Sequence, residues 1–301
     1  MDGPDFKTKM TFDYGVGAEL LPGVVRLVAN NPGPFTFKGT NTYLVGRRTL
    51  AVIDPGPADG AHLAAILQVA GGREITHIIA THAHRDHVDG IPALIAATGA
   101  KLCAMRREPG AVIPLERTPQ GREFVELNLS PDIALHGGET LQGADWELTS
   151  IYTPGHAPDH LCFKHTQSGA LFSGDHVMAW NTSVVAPPEG RMSDYMRSLE
   201  KLLDDDASVY LPGHGGRVEE PRRTLKAYLL HRRMREQAIA KAIKDGARTA
   251  REILPAVYPD IGETLIPAAL LTVLAHVEML AERGEVEFDG LLSAGALLRA
   301  V

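Results

Sequence analysis

Short apolar runs bounded by glycine, proline and asparagine dominate the first two thirds of this chain. Val24-Val25-Arg26-Leu27-Val28 predicts a first strand, closed by the turn-rich Asn30-Asn31-Pro32-Gly33-Pro34. Asn41-Thr42-Tyr43-Leu44-Val45 and Thr49-Leu50-Ala51-Val52-Ile53 predict a hairpin around Gly46-Arg47. Asp59 is placed to cap a helix to Ala70, with Leu63, Ile66, Leu67 and Ala70 on one face. His77-Ile78-Ile79-Ala80 reads as a buried strand, followed by a helix from Ile91 to Ala97 and a strand Lys101-Leu102-Cys103-Ala104-Met105. From Arg106 to Leu141 no period is sustained and prolines stand at 109, 114, 119 and 131, so irregular covering structure is expected. Strand signals return at Trp146 to Thr153, Leu161 to His165 and Ala170 to Ser173. A helix from Asp194 to Leu203 then leads to a last strand, Ala207-Ser208-Val209-Tyr210-Leu211. Two blocks of strands, each followed by helices, predict a layered α/β domain over residues 1–217.

The pattern changes beyond Arg217. Glu219 to Ile243 is one long helical stretch rich in Arg and Lys, and Thr249-Ala250-Arg251-Glu252 is a capping-box signature. A further helix spans Pro267 to Arg283, and Gly284-Glu285-Val286-Glu287-Phe288-Asp289-Gly290 predicts a small hairpin. Three helices and a terminal hairpin outline a winged-helix module, giving a second unit over residues 218–301.

Composition narrows the classes. With 301 residues, 44% of them hydrophobic, the chain can bury a large core. A net charge of −7 argues against a mainly electrostatic nucleic-acid binder. Two distant cysteines, Cys103 and Cys162, make no disulfide framework and point to a reducing compartment. Met1 to Met10 has charges at Asp2, Asp5, Lys7 and Lys9 and no apolar core, so no secretion signal is expected. No apolar run reaches the length of a membrane span, and a cytoplasmic location is expected.

The chemistry concentrates in Thr81-His82-Ala83-His84-Arg85-Asp86-His87, at the end of a predicted strand. Side chains two apart point the same way there, so His82 and His84 can grip one ion while Asp86 and His87 face a second position. Imidazole and carboxylate are the ligands that zinc and similar divalent ions prefer. Three later strand ends each deliver a polar residue after a glycine-containing turn: Thr153-Pro154-Gly155-His156, Ser173-Gly174-Asp175-His176 and Leu211-Pro212-Gly213-His214-Gly215.

In this order the motifs resemble those of the metallo-β-lactamase-fold hydrolases, over residues from about 20 to 217. The resemblance implies an αββα sandwich with a two-metal site at one edge. It implies that His82, His84 and His156 hold one ion, that Asp86, His87 and His214 hold the other, and that Asp175 bridges them. Asp54 would then support the histidine loop from behind. The bridging aspartate is that of the glyoxalase-II-like variant and is lacking in the true β-lactamases of the fold. The run Thr153-Pro154-Gly155-His156-Ala157-Pro158-Asp159-His160, with His231-Arg232-Arg233-Met234-Arg235-Glu236 and the winged-helix outline, resembles the lactamase-beta-2-like branch. That branch includes a mitochondrial endoribonuclease and fungal thioesterases acting on carrier-bound polyketides. Val88-Asp89-Gly90 departs from the branch's usual small residue and glycine, which implies a pocket edge altered by Asp89.

Two zinc ions are the expected cofactor, with iron or manganese fitting the same ligands. The implied reaction is hydrolysis of an ester or thioester, small or carrier-bound, by a hydroxide shared between the ions. Asp86 would orient that hydroxide, and His160 and His176 are candidates for substrate contact or proton transfer. The alternative is cleavage of single-stranded RNA, with phosphates on Arg232, Arg233 and Arg235. A mononuclear-iron sulfur dioxygenase and a weak β-lactamase are further alternatives. The C-terminal module also offers a surface for oligomerisation.

Overall fold

The computed structural model describes residues 5–106 and 130–301. β1 (Ala18–Leu21), β2 (Val24–Val28), β3 (Asn41–Val45) and β4 (Thr49–Ile53) run antiparallel, one after the next. Helix α1 (Gly60–Ala70) crosses to β5 (Glu74–Ile79), parallel to β4. Helices α2 (Arg85–Val88) and α3 (Ile91–Thr98) lead to β6 (Lys101–Met105), and β7 (Ile133–Leu135) completes a seven-stranded sheet. β8 (Thr140–Gln142), β9 (Glu147–Tyr152), β10 (Leu161–His165) and β11 (Ala170–Gly174) are followed by α4 (Met192–Leu202) and β12 (Val209–Pro212). They make a five-stranded sheet in the order β12-β11-β10-β9-β8.

Strand alternation sorts each run into two layers. Ala51, Ile53 and Ile79 point between the sheets, where they meet Leu148, Leu161, Phe163, Phe172 and Leu211 of the second sheet. Leu50, Val52 and Ile78 point the other way, onto Ala65, Ile66 and Ala70 of α1 and Ile91 and Leu94 of α3. On the outer face of the second sheet, Cys162, Leu171 and Tyr210 meet α4. Burial on both faces is why these strands read as nearly unbroken apolar runs. The layers are helix, sheet, sheet, helix, as the αββα expectation requires.

The C-terminal part comprises α5 (Pro221–Lys244), α6 (Ala250–Val257), a 3-10 turn (Glu263–Leu265), α7 (Ile266–Glu282) and the strand pair β13 (Val286–Phe288) and β14 (Leu298–Ala300). Its own core joins Ile239 and Ile243 to Ile253, Val257, Val273, Val277 and Leu298. The packing is also continuous with the sandwich: Leu225, Tyr228, Ala275 and Met279 share one cluster with Leu199 and Tyr210. No helix among the described residues is long and apolar enough to cross a membrane.

Several local readings need correction. A strand, β1, precedes the predicted first one, and β7 and β8 lie in the stretch expected to be irregular. The two late strands are three residues long, too short for a period to show. Residues 107–129 of that stretch lie outside the described residues. On α1, Asp59 accepts from the Ala61 N–H as expected, but Leu67 is exposed and His62 takes a place on the buried face. The capping box is skewed. Thr249 Oγ1 accepts from the Glu252 N–H at 3.3 Å, while Glu252 reaches the Arg248 N–H at 2.8 Å rather than that of Thr249. The terminal hairpin is wider than expected, because β13 pairs with β14 at the end of the chain.

Leu211 is fully buried between the sheets, on the strand that leads to His214. Leu211→Ala is expected to cost ~2–5 kcal/mol, read as a fall in the urea midpoint at unchanged slope.

Candidate metal centre

The ends of β4, β5, β9, β11 and β12 come together at one edge of the sandwich and carry Asp54, His82 with His84, His156, Asp175 and His214. Thr40 bridges to His214, and the Asn41 N–H donates to Gly213 O at 2.7 Å, so the first sheet grips the last loop of the second. Two glycines are required here. Gly155 has φ 137°, and a Cβ on it would lie 2.3 Å from the Tyr195 backbone. A Cβ on Gly213 would lie 2.5 Å from Asp175 Oδ1 and 2.7 Å from the His87 ring.

The polar atoms form two groups joined by one carboxylate. His84 Nδ1 lies 2.8 Å from His82 Nε2 and 3.1 Å from His156 Nε2. Asp86 Oδ2 lies 3.2 Å from His214 Nε2 and 3.4 Å from His87 Nε2. Asp175 stands between: Oδ1 is 3.6 Å from His87 Nε2, while Oδ2 is 3.4 Å from His214 Nε2 and 3.7 Å from His156 Nε2.

The outer ring nitrogens of His82, His87, His156 and His214 face acceptors, which turns the inner nitrogen of each toward the centre. His87 Nδ1–H donates to Asp54 Oδ2 at 2.9 Å. Asp54 also accepts from the Thr81 N–H at 2.8 Å and the Thr81 hydroxyl at 2.7 Å, and that hydroxyl oxygen in turn faces His82 Nδ1 at 3.0 Å. His156 Nδ1–H donates to Val184 O at 2.6 Å, and His214 Nδ1–H to Gly39 O at 3.3 Å. Asp54 is held at φ 50°, a left-handed conformation that aspartate tolerates and that suits a residue fixed by its contacts.

Burial and the neighbouring rings push His84 down to about 3 and His82 well below the ordinary imidazole range, so both rings are neutral. Burial alone would raise the Asp86 carboxyl, but His87 and His214 outweigh it and hold it at about 2. Burial would likewise lower His214, but Asp175 and Asp86 lift it to about 9. Asp175 Oδ1 and His87 Nε2 are buried without a hydrogen-bond partner. The three lowered imidazoles of His82, His84 and His156, the carboxylates of Asp86 and Asp175 and the orphaned inward atoms fit divalent cations, whose charge would take the place of the protons that Asp86 and Asp175 favour on His87 and His214. The triads His82–His84–His156, His82–His87–Asp175 and Asp86–His87–His214 each bring their ligand atoms within 4.8 Å of one another.

A cavity of about 70 Å³ opens on His84, Asp86, His156, Asp175 and His214. Phe35, Trp180, Val184, Leu265 and Ala268 supply much of its wall, the last two from the C-terminal part. His160 and His176, the expected candidates for substrate contact or proton transfer, sit apart from this lining. Both are fully buried and neither lines this cavity. His160 Nε2 accepts the Asp175 N–H at 3.1 Å while Nδ1 faces Thr153 Oγ1 at 2.9 Å, so the ring positions the Asp175 loop. His176 packs 4.7 Å from the Tyr195 ring, and burial lowers it to about 3. Asp89 pairs with Arg85 at 3.0 Å and does not line the cavity edge.

Sequence reasoning missed Thr40, Asn41 and Thr81, although buried polar residues inside apolar strand signals were there to see. Arg232, expected only as a candidate phosphate contact, has a further place. This α5 side chain is buried, donates to Ser183 O and lies over the Tyr195 ring. Ser183 Oγ in turn donates to Asp175 O, so the C-terminal part braces the loop of the central carboxylate.

Comparison with known proteins agrees with this geometry. Residues 35–214 match the Metallo-beta-lactamase superfamily model, and residues 249–293 match the Beta-lactamase associated winged helix domain. The chain is 31% identical over 288 residues to the Lactamase-like protein adaB of Aspergillus niger, covering 89% of this chain and 83% of that protein. It is 34% identical over 280 residues to the Beta-lactamase-like protein 2 homolog of Drosophila melanogaster, covering 89% and 90%. A metallo-beta-lactamase family protein from Thermus thermophilus superposes with a TM-score of 0.76 at 27% identity, over 94% of this chain and 100% of that one. A Beta-lactamase domain protein from Burkholderia ambifaria superposes with a TM-score of 0.80 at 20% identity, over 99% and 97%, a likeness of fold. With these matches spanning both the sandwich and the tail, the chain belongs to the metallo-beta-lactamase superfamily and carries its associated winged helix domain.

Proposed function

We propose that the protein is a metal-dependent hydrolase of esters or thioesters, with two divalent ions held by His82, His84 and His156 and by Asp86, His87 and His214. Zinc is the first choice from the ligand types. The observation that carries the reading is Asp175, whose two oxygens reach histidines of both groups. Ions bound here would supply Lewis acidity and lower the pKa of a water from about 15.7 to about 7.

The chain's own residues do the rest. Asp86 lines the cavity with Oδ2 turned to His87 and His214, which leaves its other carboxylate oxygen to hold a proton of the attacking water. Trp180 presents a buried Nε1–H without a partner at the same cavity, a donor for a substrate oxygen. Phe35, Val184, Leu265 and Ala268 exclude water beside it and suit an acyl group.

Cleavage of single-stranded RNA finds less support in the placement of the arginines. Arg232 is buried, and Arg233 pairs with Glu200 at 2.9 Å, so the predicted basic row is not a continuous exposed face. The substrate read from the site is therefore a small or carrier-bound acyl compound.

Two outcomes are expected. Metal-loaded protein turns over a panel of acyl thioesters, chelation removes the activity, and added zinc restores it. His84→Ala and Asp175→Ala are inactive in the same assay and retain less metal by elemental analysis. Cleavage of labelled single-stranded RNA without any thioester turnover would overturn the reading. Separately, Asp54→Asn weakens the hydrogen bonds to Thr81 and His87. It is expected to lower zinc affinity by ~10–100-fold, measured by competition with a chromogenic chelator. Unchanged affinity would remove Asp54 from the site.

A further inference from the structure

Beyond the metal cavity lies a second one, of about 590 Å³, between the sandwich and the C-terminal helices. Asn181, Thr182, Val184, Leu265 and Ala268 line both, so the two adjoin. The far wall of the second is different in kind, with His231, Arg232 and Arg235 from α5 and Tyr258 from beyond α6. Among the described residues neither Arg232 nor Arg235 has an acidic partner within 4.0 Å. The one acid on the cavity lining, Asp260, is exposed at its rim.

A buried guanidinium without a carboxylate is costly unless something else supplies negative charge. Arg232 is 2% exposed, and its Nε–H is buried without a partner, while its Nη2 donates to Ser183 O. Arg235 spends one N–H on Val257 O and its Nε–H on His231 Nε2 at 3.4 Å, while its Cζ lies 4.4 Å from the centre of the Tyr258 ring. A guanidinium has five N–H donors, so three remain on Arg235. Burial, with Arg232 and Arg235 beside it, lowers His231 to about 4, so the ring is neutral. Accepting at Nε2, it carries its proton on Nδ1, and that atom is also buried without a partner. On this wall Arg235 thus keeps three donors uncommitted, and the buried Arg232 Nε–H and His231 Nδ1–H have no acceptor among the described residues.

We infer that the second cavity binds an anionic group of the substrate, a carboxylate or a phosphate monoester, at the end remote from the scissile carbonyl. The inference rests on the hydrolase reading for the identity of the ligand but not for the site itself. The adjoining apolar throat at Val184, Leu265 and Ala268 takes the intervening chain, so the substrate class is an acyl compound with a charged distal end. Planar donors favour an oxyanion with two or more acceptor oxygens over a single neutral carbonyl.

Calorimetric titration of the metal-loaded protein with glutarate and with methyl phosphate tests the site directly and separates the two anion types. Wild-type protein is expected to bind at least one of them at least tenfold more tightly than Arg235→Gln, with metal content equal in both. Arg235→Lys recovers part of the affinity, and His231→Leu, which removes the Nδ1 donor, loses part of it. A kinetic arm compares a thioester ending in a free carboxylate with its methyl ester. Wild type prefers the acid through KM, and Arg235→Gln raises KM for the acid at least tenfold more than for the ester. Equal anion binding by wild type and Arg235→Gln would overturn the inference. Absence of all thioester turnover would sink the hydrolase reading alone, since the titration still reports on the cavity.

Discussion

Everything at the metal edge depends on one constraint: an imidazole can turn a lone pair inward only if its other nitrogen has somewhere to put a proton. Buried Asp54 meets that need for His87 directly and for His82 through the Thr81 hydroxyl. Backbone carbonyls of Val184 and Gly39 meet it for His156 and His214. Because low dielectric makes unpaired groups expensive, this outer ring of acceptors fixes tautomer and ring plane together. The αββα scaffold holds those acceptors still, since they sit at or beside strand ends locked by packing on both faces of each sheet.

The C-terminal part is not an appendage to this arrangement. It shares a hydrophobic cluster with the second sheet, walls the metal cavity with Leu265 and Ala268, and braces the Asp175 loop through Arg232 and Ser183. Fold and site therefore meet in the same contacts, and the cavity beyond the metal edge exists only because the two parts are packed together.

Much of this was legible in the sequence for a physical reason. A cluster of divalent-ion ligands demands rare residue types at short spacing after strands, and a two-sheet core demands apolar runs, so both leave strong local traces. What stayed hidden depends on tertiary context. The β7 and β8 strands are too short to carry a period. The grip on His214 comes from the Gly39 carbonyl, a backbone group that no side-chain pattern marks. Arg232 reads as a solvated helix position until α7 and the Ser183 loop are packed against it. The full burial of His160 and His176 likewise depends on the packing around them and leaves no trace in the local sequence.

The bridge from Thr40 to His214 joins two distant parts of the chain beside the cluster of histidines and carboxylates. On a ribosome the chain emerges N-terminus first, so His82, His84, Asp86 and His87 are free of the tunnel long before Asp175 and His214 arrive. The complete ring of donors therefore exists only in the finished sandwich, where the last loop shuts it.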